Sequence, residues 1–274
     1  MTKISTSVLL RMICPDRPGI LAEISPFLRD AGCDIRESDI YGDTQTGQFF
    51  VRMVLTSAAA PLTELKASLA PIAEQLCQFW EMKNLEQPTR VVFAVSKFEH
   101  CLADLLFKHS IGALPVDIAA VISNHDKARA LVESYGFPFH HLPISKETKP
   151  QQEAKILKLF EGYDADLLVL ARYMQILSDD LSKTLSGRCI NIHHSFLPSF
   201  KGAKPYHQAH LRGVKLIGAT AHYVTSDLDE GPIIEQDVRR VTHKATAEQM
   251  VEYGRDVEAS VLSRAVKWHA EGRV

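Results

Sequence analysis

The amino-acid sequence predicts an α/β protein preceded by a smaller, ferredoxin-like α+β unit. From residue 90 onwards, short apolar runs alternate with helical apolar stripes, which is the pattern of a parallel sheet covered by helices on both faces. The first 86 residues instead read strand, helix, strand, strand, helix, strand, which is the ferredoxin-like order. The 274 residues suffice for two domains, and a hydrophobic content of 46% suffices for their cores.

The first unit combines four strand-like runs with two helical stripes. The strands are predicted at residues 7–14, 34–43, 48–55 and 79–85. Turn-forming residues at 15–19 end the first strand. Ile20, Ile24 and Leu28 then recur every four residues, which places one apolar stripe along a helix. A second stripe between residues 61 and 77 predicts the other helix.

A polar stretch at residues 86–89 is the predicted boundary, so we expect domains at 1–86 and 87–274. The second domain has predicted strands at 90–95, 115–122, 166–170, 189–192, 215–224 and 232–238. Its helices are predicted at 99–109, 127–135, 149–161 and 247–268. Ligands of such sheets bind beyond the carboxyl ends of the strands, so the loop that follows Ile192 is the first candidate for a site.

Composition argues against several function classes. Lys and Arg number 31 against 33 Asp and Glu, so the net charge of −2 offers no basic excess for nucleic acid. The longest apolar runs fall far short of the roughly 20 residues of a membrane helix, and no signal peptide is predicted. The five cysteines include no Cys-x-x-Cys pair, so we expect reduced thiols in a cytoplasmic protein.

The end of the 189–192 strand carries side chains suited to carbonyl chemistry. Asn191 and His193 are two residues apart, so they face the same side of an extended chain. An amide can hold a developing oxyanion, and an imidazole can move a proton. The alternative is that the two polar residues only cap the strand.

A second candidate segment is the turn at residues 225–232. It places the carboxylates of Asp227, Asp229 and Glu230 between two predicted strands, close behind His222. Any of these carboxylates can orient a histidine or activate a water molecule. The alternative is that they are ordinary solvated turn residues.

The histidine count raises the question of a metal site, because seven of the twelve fall between residues 140 and 222. Two adjacent pairs, His140-His141 and His193-His194, are expected to point to opposite faces of their strands. The sequence contains no His-Glu-x-x-His motif. We therefore expect no metal.

Several ordered motifs resemble the formyltransferase family that uses 10-formyltetrahydrofolate. They are Asn191-x-His193, Leu197-Pro198, Gly202-Ala203-x-Pro205 and Leu228-Asp229-Glu230-Gly231-Pro232. The resemblance covers about residues 90–270 and implies a Rossmann-like formyltransferase fold. It also implies a catalytic trio of Asn191, His193 and Asp229, with His222 supporting Asp229. In this scheme Asp229 activates a nucleophile, while Asn191 and protonated His193 hold the oxyanion.

Another run resembles the folate-side loop of that family. It implies that the pterin of the substrate lies against Tyr173, Met174, Gln175, Ile176 and Leu177. The alternative for the apolar members is plain core packing. Lys201 and Lys204 are candidates for the glutamate tail of the folate, and the alternative for both is a solvated surface position.

The first unit resembles an ACT domain, because residues 16–21 match the strand-to-helix turn of that family. The resemblance implies a small amino-acid effector near Asp16, Arg17 and Gly19, and pairing of copies into a homo-oligomer. The alternative is that the domain only joins subunits.

The loop after the first strand of the second domain bears on the formyl acceptor. Family members that formylate glycinamide ribonucleotide have glycines there, which let backbone N–H groups reach the acceptor's phosphate. Residues 95–102 contain no glycine, and Glu99 adds a carboxylate near the expected phosphate. An alternative is that this stretch is only a helix start.

Water is therefore the expected acceptor. We expect hydrolysis of 10-formyltetrahydrofolate to formate and tetrahydrofolate, without a permanently bound cofactor, supplying formate for purine synthesis and balancing one-carbon folate pools. The alternatives are formyl transfer to an amine acceptor of the glycinamide ribonucleotide type, and a non-catalytic sensor of an amino acid or folate.

Overall fold

The computed structural model describes residues 6–57, 61–197 and 205–274, and the chain divides into two compact units. The first unit comprises Met1–Pro88 together with Glu271–Arg273, and the second comprises Thr89–Ala270 with Val274. Within the described ranges, no helix is both long enough and apolar enough to cross a membrane.

The first unit is a four-stranded antiparallel sheet with two helices. Its elements are β1 (Thr6–Pro15), α1 (Ile20–Asp30), β2 (Cys33–Asp43), β3 (Gln48–Ser57), α2 (Leu62–Leu76) and β4 (Phe79–Asn84). The strands lie in the order β2-β3-β1-β4, and each neighbouring pair is antiparallel. The predicted ferredoxin-like α+β class of this unit is confirmed.

Alternation along β1 explains how the sheet and the helices pack. Leu10 and Met12 point into the core beneath the helices, while Arg11 points to the other face and pairs with Glu81 at 2.6 Å. On α1, the predicted stripe of Ile20, Ile24 and Leu28 is buried against the same core. Both helices thus cover one face of the sheet.

The second unit is built around a seven-stranded sheet in the order β11-β10-β9-β8-β5-β6-β7. Its strands are β5 (Thr89–Val95), β6 (Val116–Ser123), β7 (Phe139–His141), β8 (Leu167–Leu170), β9 (Cys189–His193), β10 (Leu216–Tyr223) and β11 (Ile233–Arg240). Its helices are α3 (His100–Ser110), α4 (Arg129–Ser134), α5 (Lys149–Gly162), α6 (Asp179–Thr184), α7 (Pro205–Leu211) and α8 (Ala247–Ala270).

The predicted parallel sheet is extended at one edge by two antiparallel strands, whose orientation the sequence did not predict. Strands β5 to β9 are parallel, but β10 pairs antiparallel with both β9 and β11. Parallel neighbours need a crossover of a dozen or more residues, whereas a short turn at 224–232 joins β10 to β11. The sheet is therefore mixed, and the predicted Rossmann-like α/β class is confirmed.

Apolar side chains on both faces of the sheet account for the two layers of helices. On β5, Val91 and Phe93 pack into the core under α3 and α8, while Val92 and Ala94 pack into the core under α5. With both faces covered, the edge formed by the carboxyl ends of β5, β8 and β9 is where side chains can meet a ligand.

Three short elements have no counterpart in the prediction, namely β7, α6 and α7. None is longer than seven residues. Such lengths are too short for hydrophobic periodicity to distinguish a helix or strand from a loop.

Candidate active site

The second unit contains a cavity of about 630 Å³. Its walls come from the ends of β8 and β9, from the β10–β11 turn and from α8. The predicted catalytic residues and the predicted folate-side loop all line it: Asn191, His193, His222, Asp229, Tyr173, Met174, Gln175, Ile176 and Leu177. A concave space of this size suits a small-molecule ligand.

Two of these side chains, Asn191 and His193, belong to strand β9. Asn191 and His193 both reach the cavity from the same side of the strand. The backbone at residues 195–197, directly after this strand, is held by the buried hydroxyl of Thr220 on β10. This hydroxyl donates to the carbonyl of Ser195 at 3.0 Å and accepts from the backbone N–H of Leu197 at 3.1 Å. The strand end is thus anchored from the neighbouring strand.

The prediction that His194 faces away from His193 is wrong. Strand β9 ends at His193, so strict alternation stops there, and the two rings lie 5.3 Å apart on the cavity wall. Burial, and then the positive charge of Arg172, lowers the pKa of His194 to about 4. Its ring is therefore neutral at neutral pH.

Asp229 places a carboxylate between two imidazoles. Its Oδ2 lies 3.1 Å from Nδ1 of His193, and its Oδ1 lies 3.6 Å from Nε2 of His222. Its backbone φ of 57° is left-handed, which is uncommon for a residue other than glycine. Gly231 permits this turn, because any side chain there would overlap the carbonyl of Tyr223.

The environment of Asp229 keeps it ionised. Burial raises the pKa of the carboxyl group, but hydrogen bonds and charge attraction from His193 and His222 outweigh burial and hold the pKa well below its usual range. A carboxylate this acidic is a weak base. Its chemical value is to orient the two rings and to stabilise positive charge on them.

His222 controls how the amide of Asn191 is turned. Its Nδ1 lies 2.9 Å from the carbonyl oxygen of Tyr223, so this nitrogen carries a proton and donates. Its Nε2 lies 3.3 Å from Nδ2 of Asn191 and 3.6 Å from Oδ1 of Asp229. The amide nitrogen of Asn191 carries two N–H groups, so one can face His222 while the other remains for a ligand.

The second ring nitrogen of His193 is free for chemistry. Nδ1 faces Asp229, while Nε2 is buried and has no hydrogen-bond partner among the described residues. An imidazole with one nitrogen held by a carboxylate and the other without a protein partner is the arrangement of a general acid–base.

The predicted folate-side loop is an apolar wall with a polar anchor. Met174 and Ile176 are 49% and 61% exposed, so their side chains are available to a ligand. Beneath them the hydroxyl of Tyr173 accepts from the amide of Gln152 at 2.6 Å, and the N–H of Met174 donates to Ser96 at 2.9 Å. Lys201 and Lys204 lie outside the described residues.

Glu99, expected near an acceptor's phosphate, is not among the residues that line the cavity. Its carboxylate turns towards Lys127, 3.1 Å away, while its neighbours Phe98 and His100 line the cavity instead. The acceptor side of the cavity is therefore occupied by an aromatic ring and an imidazole.

The sequence did not predict a buried polar cluster that lies beside His100. Glu258 on α8 is 1% exposed; its Oε1 accepts from the hydroxyl of Tyr206 at 2.7 Å, and its Oε2 lies 2.8 Å from Nε2 of His100. Arg172, just beyond β8, places Nε 3.3 Å from the same carboxylate. Gly254 makes room for the ring of Tyr206, which a side chain at that position would overlap.

Two sequence signals point to this cluster in hindsight. Glu258 interrupts the apolar face of α8 between Val257 and Val261, where a charge needs a buried partner. Arg172 stands in an otherwise apolar run at the end of a strand, where ligand-binding side chains of such sheets lie.

Part of the same cluster carries atoms of the kind that bind metal ions. Ligand-type atoms of His100, Cys101 and Glu258 lie within 4.8 Å of one another. Burial raises the pKa of the Cys101 thiol well above its ordinary value, which disfavours the thiolate that a metal needs. Arg172 already compensates the carboxylate, so the donor set does not fit a cation.

The predicted effector residues lie at the β1–α1 turn of the first unit. Gly19 adopts a φ of 95°, which favours glycine, and precedes the first turn of α1. Arg17 pairs with Glu23 at 2.7 Å, and the N–H of Asp16 donates to the carbonyl of Gly47 at 2.8 Å.

The chain matches known proteins over almost its full length. Residues 89–266 match the family model of the formyl transferase domain. Over 268 residues the chain is 50% identical to formyltetrahydrofolate deformylase of Corynebacterium sp. (strain P-1), covering 97% of this chain and 94% of that protein. The chain belongs to the formyltetrahydrofolate deformylase family.

Solved structures also support the membership of this chain in the formyltetrahydrofolate deformylase family. The crystal structure of formyltetrahydrofolate deformylase from Burkholderia mallei ATCC 23344 matches with a TM-score of 0.92 and 48% identity, covering 98% of this chain and 96% of that chain. Phosphoribosylglycinamide formyltransferase from Anaplasma phagocytophilum matches with a TM-score of 0.62 and 34% identity, covering 68% of this chain and 88% of that chain. The likeness to the deformylase therefore spans both units, and the likeness to the formyltransferase spans part of the chain.

Proposed function

We propose that this protein hydrolyses 10-formyltetrahydrofolate to formate and tetrahydrofolate. The observation that carries the proposal is the Asp229–His193 pair, which lines the cavity beside Asn191 and leaves Nε2 of His193 without a partner among the described residues. Near-full-length similarity to formyltetrahydrofolate deformylases supports this substrate and this reaction class.

The reaction begins with the formyl group of the substrate beside β9. Nε2 of neutral His193 accepts a proton from a water molecule as the water oxygen bonds to the formyl carbon. Asp229 holds the resulting imidazolium through Nδ1 and stabilises its charge. We assign the base to His193 because the pKa of Asp229 lies well below its usual range.

The tetrahedral intermediate carries its negative charge on the former formyl oxygen. The free N–H of Asn191 donates to that oxygen, while His222 holds the amide in place through its other N–H. The imidazolium of His193 then returns its proton to N10 as the carbon–nitrogen bond breaks. Formic acid and the secondary amine of tetrahydrofolate leave, and the acid ionises to formate by releasing one proton to solvent, so atoms and charge balance.

The acceptor side of the cavity supports water as the nucleophile. Phe98 and His100 stand where a phosphorylated amine would need backbone N–H groups at a glycine-rich loop. A water molecule needs no such N–H groups.

The decisive assay uses purified protein, 10-formyltetrahydrofolate and no added amine. We expect stoichiometric release of formate and tetrahydrofolate, and its near-complete loss in His193→Gln. Formate that appears only after addition of glycinamide ribonucleotide would instead assign a transferase. Binding of the folate without either product would assign a sensor.

We propose further that the first unit regulates or assembles the enzyme. Its ferredoxin-like sheet and the Gly19 turn are compatible with an ACT domain that binds an amino acid near Asp16 and Arg17 in a homo-oligomer. Control of this kind would match formate supply to purine synthesis. Calorimetric titration with a panel of amino acids tests the effector, and flat traces for all of them would reject it; sedimentation equilibrium tests the oligomer.

A further inference from the structure

We propose that Arg172 forms a binding site for a small carboxylate, the product formate, on the wall of the cavity that the catalytic pair also lines. The inference rests on the proposed function, because hydrolysis is what generates formate in this cavity. It adds a ligand position that the hydrolytic chemistry itself does not require.

The guanidinium of Arg172 is buried, yet several of its N–H groups have no hydrogen-bond partner among the described residues. The side chain is 9% exposed, and neither Nε nor Nη1 makes a hydrogen bond to any described residue. Nε lies 3.3 Å from the carboxylate of Glu258, which is within ion-pair distance, whereas Nη1 has no hydrogen-bond partner among the described residues. A buried donor without a partner is costly, so a ligand that satisfies it gains affinity.

Positive charge is concentrated around this donor. The guanidiniums of Arg172 and Arg255 each lie 5.7 Å from the ring centre of Phe98, and all three residues line the cavity. Glu258 supplies one negative charge against these two cations, and its oxygens are already engaged by Tyr206 and His100. Beside Phe98 the two cations therefore outnumber the buried carboxylate, whereas Asp179, Asp227 and Asp229 also line the cavity.

The backbone of Arg172 is held in an unusual conformation. Its φ is 64°, in the left-handed region that a long side chain rarely adopts. The N–H of Ser96 donates to its carbonyl at 3.2 Å, and its own N–H donates to Leu170 at 3.0 Å. Among the described residues, Arg172, Asp229 and Asp164 are the non-glycine residues with positive φ. Two of the three thus face the cavity, where such strain often marks a functional position.

A carboxylate is the chemistry that fits. A guanidinium presents N–H donors in a plane that matches the two oxygens of a carboxylate, and formate adds almost no bulk to them. A chain of ring contacts leads from the reaction centre towards this cluster. The rings of His193 and His194 lie 5.3 Å apart, and His194 lies 6.3 Å from Tyr206, which bonds Glu258.

The test measures formate binding directly, without folate. Sodium formate is titrated calorimetrically into the full-length protein, with sodium chloride holding the ionic strength constant. We expect saturable binding by the wild type. The exposed Arg129 in α4 supplies the matched control, and Arg129→Gln should bind formate as the wild type does.

The main variant combines Arg172→Met with Glu258→Gln. Both charges of the pair are removed together, because one buried charge without its partner would destabilise the fold. We expect formate affinity to fall at least about tenfold, since charge-assisted hydrogen bonds are lost. Arg255→Gln alters an exposed side chain and should weaken formate binding by a smaller factor. Unchanged affinity in both folded variants would overturn the proposal.

The glutamate tail of the folate is the other carboxylate that this cavity could meet. Tetrahydrofolate titrations of the same variants separate the two sources. Weaker tetrahydrofolate binding with unchanged formate binding would assign the site to the tail and reject formate. Initial rates of folate hydrolysis without added formate test the proposed function separately, so either conclusion can fail alone.

Discussion

The carboxylate of Asp229 lies 3.1 Å from Nδ1 of His193, although the two residues belong to different elements. This contact holds one nitrogen of the ring and leaves the other, Nε2, without a partner among the described residues. It also keeps Asp229 ionised, because the neighbouring imidazoles favour the charged form. The orientation of the imidazole and the charge that stabilises its protonated form thus come from one side chain.

Asp229→Asn is expected to abolish most turnover while preserving the shape of the site. The amide cannot stabilise an imidazolium, so kcat should fall by about 10² to 10⁴ with KM changed only a few-fold. Asp227→Asn in the same turn is the matched control and should remain within a few-fold of wild type. Steady-state kinetics of formate release measures both, and near-normal kcat in Asp229→Asn would reject the assigned pair.

Ile176→Ala is expected to weaken folate binding and spare the chemistry. The side chain is 61% exposed on the cavity wall, so a bound pterin would cover it. Loss of that apolar contact should raise KM up to about tenfold, with kcat unchanged. Leu211→Ala, at an 85% exposed position that does not line this cavity, should alter neither constant. A fall in kcat alone would contradict a binding role.

Gly254→Ala is expected to destabilise the second unit. The new Cβ would overlap the ring of Tyr206, whose hydroxyl is bonded to Glu258. The free energy of unfolding should fall by about 1–3 kcal/mol, as for other over-packed positions. Gly162→Ala in α5 meets no neighbouring atom within 4 Å and should be neutral or slightly stabilising. Urea unfolding of both variants measures the contrast, and equal stability would show that the ring can move aside.

His194 is expected to make stability depend on pH. Its pKa in the folded protein is about 4 against an ordinary 6.5, so the unfolded chain binds a proton first as the pH falls through this window. The free energy of unfolding should therefore decrease, by at most about 1.4 kcal/mol per pH unit. Urea unfolding of wild type and His194→Gln between about pH 7 and pH 5 tests this sign, since removing the imidazole should flatten the slope. Identical slopes would contradict it.

Local patterns were sufficient for the elements that carry the site. Period-two spacing predicted that Asn191 and His193 share one side of β9, and an amphipathic pattern predicted α8. The same reasoning failed for His194, because it assumed that the strand continued. The sequence left the orientation of β10 and β11 open, and the structure shows that the turn before β11 reverses the chain.

The meeting of residues across elements required the packed fold. Arg172 follows β8, Tyr206 belongs to α7 and Glu258 to α8, yet they form one buried cluster. Spacing within an element is a property of local backbone geometry, so it can be read along the chain. Distances between elements depend on how the sheet and helices pack, and that packing brings together Asp229 with His193 and Arg172 with Glu258.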